Sequence, residues 1–317
     1  MSESMKIRNL KNYGIPSHIV NIWEKDYPQY LLPLQEDAVR NYGILNGNGK
    51  DKNLLVIAPT SSGKTFIGEM AAIAQAIHLR KTIYLVPLRA LADDKYRYFK
   101  NLYSHCGIDI VISTRDRSED DYNIISGDYD VAVMAYEKFN YFCFTCPRFL
   151  EIVSLVIIDE MQLTNDSKWG PLLEIMVNHI DKKNKDIKII ALSAFVEGQD
   201  ALVRWFPGRT LISYQRPVTL RKGIVRDGIF NYITSKKKKK CKEEIFFKPE
   251  AVRENCFEDY LLETVRYLLK QGESVLIFFA TCVETQKWAG RLASQLESPA
   301  ASCALEELKE MEETLSL

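Results

Sequence analysis

The chain has 317 residues, 46% of them hydrophobic and 26% charged, an ordinary globular composition with room for two domains or one and part of another. Its 42 basic residues face 42 acidic ones. That balance excludes a bulk basic field, so any nucleic-acid binding has to use a local surface.

The opening stretch, Met1–Gly14, is polar and has no apolar signal-peptide segment. No apolar run approaches the ~20 residues that span a bilayer. A soluble, intracellular protein without membrane association is expected, in the cytoplasm of a prokaryote or archaeon or in a nucleus. The seven cysteines are odd in number and scattered, so free thiols are expected. Cys143 and Cys146 form a lone CxxC without the second pair a zinc site needs. The histidines, His18, His78, His105 and His179, form no cluster.

Residues 1–50 read as a helical lead-in. Pro16 and Ser17 can open a helix with Ile19, Val20 and Trp23 on one face. A second helix, Gln35–Tyr42, follows Pro33; spacing alone reads Gln35 as a solvated helix start. Asn46-Gly47-Asn48-Gly49 is a loop.

From Leu54 the pattern alternates. Apolar runs at Leu54–Ile57, Thr82–Val86, Asp109–Ser113, Asp130–Met134, Ser154–Ile158 and Lys188–Leu192 are separated by helical stretches or loops. Short continuous runs of Val, Ile and Leu are strands buried on both faces. Their alternation with helices predicts an α/β fold with a parallel sheet built of right-handed βαβ units. Such sheets bind ligands beyond the carboxyl ends of their strands, and the chemically interesting residues fall there.

The first such end is Ala58-Pro59-Thr60-Ser61-Ser62-Gly63-Lys64-Thr65, followed by a helix over Phe66–Leu79. Strand, tight loop, GKT and helix is the context of a phosphate-binding loop. Backbone N–H groups and the positive helix end face a polyphosphate. Lys64 reaches its outer phosphates, and the Thr65 hydroxyl binds Mg²⁺. A chance GKT in an ordinary strand-turn-helix is the competing reading. A second end is Asp159-Glu160, after an apolar strand. In a nucleotide-hydrolysing site Asp159 holds Mg²⁺ and Glu160 orients the attacking water. Alone, an Asp-Glu at a strand end is an ordinary turn cap.

After Phe206-Pro207-Gly208 the rhythm changes. Arg209–Ser213 and Val218–Val225 read as strands, and Asp227-Gly228 as a hairpin turn. Lys236–Lys240 is either a nucleic-acid contact or a solvated, mobile loop, and mutual repulsion favours the loop. Helix Phe257–Lys270, strand Ser274–Phe279 and helix Glu284–Leu296 form one more βα unit. The acidic amphipathic stretch Glu306–Thr314 comes last. These residues are too few to close a sheet of the usual ~5–6 strands.

Taken together, these motifs resemble the first motor domain of a superfamily 2 DExH helicase, in the branch of archaeal DNA-repair helicases and their polymerase-theta-type relatives. That family's nucleotide loop often reads A-P-T-x-x-G-K-T, which accounts for Ala58. Leu34-Gln35 resembles its adenine-reading glutamine motif. Pro87-Leu88-Arg89-Ala90-Leu91-Ala92 and Ala135-Tyr136-Glu137-Lys138 resemble its strand-gripping motifs. Asp159-Glu160-Met161-Gln162 resembles the DExH box with Gln162 for His, and Ser193-Ala194-Phe195 the coupling motif with Phe195 for Thr. Arg216-Pro217-Val218-Thr219-Leu220-Arg221 resembles the exit from the first domain, and Ser274–Ala293 the start of the second.

The resemblance implies a RecA-like ATP-binding domain over 51–213, a linker or hairpin with the lysine run over 214–255, and an incomplete second RecA-like domain over 256–317. It implies ATP and Mg²⁺ as ligands, with Glu160, Lys64 and Asp159 catalytic and Gln162, Ser193 and Ala194 coupling. Arg89 and Lys138 would touch single-stranded or forked nucleic acid, DNA before RNA, in a monomeric motor moving 3′ to 5′. An RNA helicase of the DExH group and a non-catalytic helicase-like module remain the alternatives. The family's γ-phosphate arginine, carried by the second domain, has no matching motif here. The chain is therefore expected to be a fragment that hydrolyses ATP slowly and does not unwind.

Overall fold

The computed structural model describes residues 4–46, 53–183, 186–195, 199–234, 237–253 and 256–296. The chain divides into two compact units, Met1–Val218 and Thr219–Leu317.

The first unit is built on seven parallel strands: β1 (Asn53–Ile57), β2 (Lys81–Val86), β3 (Ile110–Ser113), β4 (Val131–Ala135), β5 (Val153–Ile158), β6 (Lys188–Ser193) and β7 (Gly208–Ile212). Their order across the sheet is β3-β4-β2-β5-β6-β1-β7, and every neighbouring pair is parallel. Six of these strands coincide with the apolar runs of the alternating region. The seventh, over the stretch expected as Arg209–Ser213, extends the sheet by pairing with β1. The helices are α1 (Ser17–Asp26), α2 (Pro33–Tyr42), α3 (Lys64–Ile77), α4 (Arg89–Tyr103), α5 (Asp121–Ser126), α6 (Tyr136–Thr145), α7 (Trp169–Lys183) and α8 (Gln199–Trp205).

Successive side chains of a strand point to opposite faces, so a strand of continuous apolar residues feeds two cores at once. Leu54 and Val56 join Trp23, Ala38, Ile67 and Phe99 in one core, whereas Leu55 and Ile57 join Phe139, Leu173 and Val177 in the other. The sheet is thus sandwiched, with α1–α4 on one side and α6 and α7 on the other.

The lead-in belongs to the first core. Trp23 is fully buried, meets Phe66 edge-on at 5.5 Å and donates its indole N–H to the Tyr103 hydroxyl at 2.8 Å. Truncating a buried aromatic of this kind costs about 3–5 kcal/mol. Tyr103 in turn donates to Glu69 on α3, and Tyr27 donates to the same carboxylate at 2.6 Å. Glu69 is wholly buried, and burial pushes its carboxyl above the usual range against the opposing pull of the two tyrosines and Lys95. A carboxyl whose pKa rises on folding contributes stability that is complete below its unfolded value. That contribution is lost as pH rises through the folded value. The melting-temperature advantage of the wild type over Glu69→Gln should therefore shrink as pH rises upward from the ordinary Glu range near 4.3. An advantage that stays constant with pH would show that Glu69 is ionised in the fold.

In the second unit, β8 (Arg221–Arg226), β9 (Ile229–Thr234) and β10 (Lys237–Ile245) form an antiparallel sheet in the order β10-β9-β8. The expected hairpin turn is there: Asp227 and Gly228 both have positive φ, 52° and 75°. Such a turn matches the twist of the strands it joins. The lysine run needs a correction. Lys237–Lys240 lie on β10 rather than in a loop: Lys237 pairs with Thr234 of β9, the regular ladder resumes at Lys242, and the register shifts between them. Lys236 lies outside the described residues.

Helices α9 (Phe257–Lys270) and α10 (Cys282–Gln295) follow. Trp288 of α10 meets Phe257 of α9 edge-on at 5.4 Å, and Arg291 pairs with Glu258 at 3.0 Å. The stretch Ser274–Phe279, expected as a strand, has no sheet pairing, and Leu276 and Phe278 are exposed. A strand exists only by hydrogen bonding to a neighbour, and none of the described strands pairs with it. The acidic stretch over Glu306–Thr314 lies outside the described residues. Among those described, no helix is long and apolar enough to cross a membrane.

Candidate active site

Parallel strands bring all their carboxyl ends to one edge, and β1, β6, β5, β2 and β4 are successive neighbours there. The loop after β1 therefore lies beside the end of β6, with the end of β5 next beyond it. Ala58 donates its N–H to the Ser193 carbonyl at 3.1 Å, so the β1–β6 ladder runs one step into the loop.

The loop Ala58–Gly63 leads directly into α3, whose first two residues are Lys64 and Thr65. Gly63 sits at φ 82°, in the left-handed region that a Cβ disfavours. The Lys64 ammonium folds back onto the loop, donating to the carbonyls of Ala58 at 2.7 Å and Pro59 at 2.8 Å. Burial lowers its pKa, with Glu160 and Asp159 pulling the other way. Ser62 is buried, and its hydroxyl has no partner among the described residues. A buried orphan hydroxyl, an ammonium holding two loop carbonyls and the open first turn of a helix are the groups a polyphosphate would satisfy.

Gln35 is not at a solvated helix end. It is buried; its Oε1 accepts from the Leu32 N–H at 2.8 Å and its Nε2 donates to the Gly63 carbonyl at 3.2 Å. It thereby ties the lead-in to the phosphate loop. A cavity of about 390 Å³ opens between them, with Ile7, Tyr27, Pro28 and Tyr30 on the lead-in side. Gln35, Thr60, Ser61, Gly63, Lys64, Thr65, Asp159 and Glu160 face them. That is within the range of small-ligand sites. Tyr30 and Ile7 were not anticipated, because a single aromatic in a polar lead-in has no spacing signal.

Asp159 ends β5. Its N–H donates to the Leu85 carbonyl at 2.9 Å, Tyr84 donates to its Oδ2 at 3.0 Å, and Tyr136 donates to its carbonyl. Burial pushes its carboxyl above the usual aspartate range, opposed chiefly by Lys95. Both tyrosines escaped the sequence reading: Tyr84 is one apolar-looking member of a strand, and Tyr136 was counted only within a strand-gripping motif. Thr65 and Asp159 line the same cavity and carry a hydroxyl and a carboxylate, oxygen donors of the kind Mg²⁺ takes.

Glu160 follows in the left-handed conformation, φ 58°, unusual for a residue with a side chain. Gln162 donates to its carboxylate and accepts the Ala194 N–H at 2.8 Å. One amide thus joins the acid after β5 to the end of β6, using both its donor and its acceptor. The Ser193 hydroxyl donates to the Ala194 carbonyl at 2.9 Å. Phe195 stacks on Tyr214 with ring centroids 5.0 Å apart.

The two expected strand-gripping cations lie elsewhere along the same edge, each paired with an acid. Arg89 meets Asp116, with side chains 43% and 63% exposed. Lys138 is only 13% exposed and holds Asp121 at 2.6 Å, a carboxylate that also accepts from Ser113 at 2.5 Å.

A family model described as DEAD/DEAH box helicase matches residues 33–201. Among curated proteins, the chain is 36% identical over 210 residues to the ATP-dependent DNA helicase Hel308 of Caldivirga maquilingensis, covering 66% of this chain and 27% of that protein. It is 30% identical to Hel308 of Methanocella arvoryzae over 98% of this chain and 39% of that protein. The chain therefore spans well under half the length of these relatives. Among solved structures, the DUF1998 helicase MrfA aligns with a TM-score of 0.62 at 16% identity, over 90% of this chain and 42% of that one. Helicase Lhr of Mycobacterium smegmatis, bound to ssDNA and AMP-PNP, aligns at 0.52 and 23%, over 64% and 28%. These two share its fold.

Proposed function

The chain belongs to the DEAD/DEAH box helicase family, and from that premise we propose that it is the ATP-binding part of a nucleic-acid motor acting on DNA. The observation that carries this reading is the meeting of Lys64, Thr65, Asp159 and Glu160 around one cavity, with Gln162 joining Glu160 to the Ser193-Ala194 segment.

In this reading Lys64 releases the Ala58 and Pro59 carbonyls and turns to the outer phosphates of ATP. The loop N–H groups and the Ser62 hydroxyl take the remaining phosphate oxygens. Gln35 reads the base from the lead-in side. Thr65 and Asp159 hold Mg²⁺, which when bound neutralises charge on the outer phosphates. Tyr84 and the Glu160 N–H keep the Asp159 carboxylate aimed. Glu160 accepts a proton from the attacking water. Any change in its position passes through Gln162 to the backbone at Ala194, a route that does not need the hydroxyl Phe195 lacks.

The strand contacts are backbone contacts and largely blind to sequence. Arg89 is the better candidate. Its ion pair with Asp116 is exposed, worth about 0–1 kcal/mol, and easily exchanged for a phosphate. Lys138 would have to leave a largely buried pair. DNA is preferred to RNA because the curated relatives described above are named DNA helicases, and 3′-to-5′ movement is carried over from the same likeness. The replacement of the family's threonine by Phe195, which has no hydroxyl, favours the second reading, a helicase-like module that binds without turning over.

Single-turnover ATP hydrolysis with Mg²⁺, measured without nucleic acid and with single-stranded DNA or RNA of equal length, separates these. The motor reading expects stimulation, larger with DNA. ATP binding without stimulation by either polymer would favour the module, and a preference for RNA would move the chain to the RNA-directed helicases.

A further inference from the structure

Strand β7 runs parallel to β1, with Ile57 opposite Ile212. The ladder continues one step as Ser213 donates to the Ile57 carbonyl at 3.0 Å. The chain leaving β7 therefore travels beside the phosphate loop leaving β1. Two contacts fasten it there. Tyr214 stacks on Phe195, at the end of β6. Arg216 then reaches Thr60 on the rim of the phosphate loop, its Nη2 donating to the hydroxyl and its Nε to the carbonyl at 3.4 Å. Thr60 lines the cavity that takes the nucleotide.

We propose that Arg216 is a positioning residue of the nucleotide site, which fixes the phosphate loop through Thr60 from the segment that leaves the first unit. The inference rests on the nucleotide reading given above and adds a member to that site. A guanidinium suits the task because its planar fork engages the hydroxyl and the carbonyl of one residue together. An ammonium would keep the charge and lose one of the two bonds. Phe195 takes a role as well: its ring seats Tyr214 and so sets where Arg216 begins. The departure from the family's threonine thus coincides with a packing contact that a hydroxyl could not supply.

The test is Mg²⁺-dependent binding of fluorescent ATP and ADP analogues to the whole chain and to Arg216→Ala, Arg216→Lys, Thr60→Val and the Ala/Val double variant. Losing a charge-assisted bond predicts about tenfold weaker binding for Arg216→Ala. The loss should be equal for ATP and ADP, because the residue acts on the loop and not on the last phosphate. Arg216→Lys should recover part of it. The double variant should bind no more weakly than the worse single variant, since both remove one contact. Additive losses, a loss confined to ATP, wild-type binding by Arg216→Ala, or a loss matched by a lower melting temperature and not relieved by lysine would each overturn the proposal. If the unaltered chain binds neither analogue, the nucleotide reading itself fails and this inference with it.

Discussion

Glu160→Gln should bind ATP as tightly as the wild type, or more tightly, and hydrolyse it ~10²–10⁴-fold more slowly in a single turnover, the usual worth of a positioned general base. The substitution isolates the base because the surroundings are built for an amide as readily as for a carboxylate. Gln162 donates to Glu160, and a glutamine oxygen at position 160 accepts that bond unchanged. The backbone at 160 is already in the left-handed region, and exchanging one side chain of the same length for another alters no backbone preference. Lys64, Thr65 and Asp159 keep their partners. Binding and hydrolysis should therefore part company, with the defect wholly in the rate. Hydrolysis at the wild-type rate would remove Glu160 from the chemistry. An equal loss of affinity would make it a structural residue of the loop.

The parts of this site that sequence reveals are those whose chemistry is carried by residue type at fixed spacing. Gly63-Lys64-Thr65 behind an apolar strand, and Asp159-Glu160 behind another, could be paired in one site because a parallel sheet sends all its strand ends to one edge. The six strands of the alternating region were legible for the same reason: continuous Val, Ile and Leu runs mean burial on both faces, and both cores draw on alternate residues of β1. Side-chain partners were not legible. Nothing in the run Thr82–Val86 distinguishes the Tyr84 hydroxyl, bonded to Asp159, from one more apolar ring. The Glu69 network was equally hidden, since a lone acid on a helix is normally solvent-facing and only the arrival of Tyr27 and Tyr103 from distant segments makes it internal.

Two expectations failed on pairing rather than on propensity. Ser274–Phe279 has the composition of a strand, yet a strand depends on a neighbour that its own sequence does not specify. Lys237–Lys240 has the composition of a solvated loop, yet the run lies within β10, which pairs with β9 at Lys237 and again from Lys242. The departure of Gln162 from the DExH pattern has a structural role: its side chain spans Glu160 and Ala194 with both ends of its amide. A histidine in its neutral form also offers one donor and one acceptor, so the exchange preserves what the position requires.

Gly63→Ala tests how much of the nucleotide site depends on the lead-in. At φ 82° an alanine is strained by roughly 1–2 kcal/mol. Its Cβ would also overlap the Gln35 amide nitrogen and approach Leu32 Cδ1 to 3.0 Å. Gln35 can yield only by giving up its bonds, because it is held by Leu32 at one end of its amide and by Gly63 at the other. Moving it forfeits hydrogen bonds worth about 0.5–1.5 kcal/mol each. The expected result is a fall of roughly 30-fold to 3,000-fold in ATP affinity, taking the strain and both bonds together at 1.4 kcal/mol per decade. Gln35→Ala removes the obstacle along with its own bonds. The double variant should then bind better than the two single losses multiplied together, the signature of two side chains competing for one space. Losses that simply multiply would mean that the strain at Gly63 acts alone, and that Gln35 does not brace the loop.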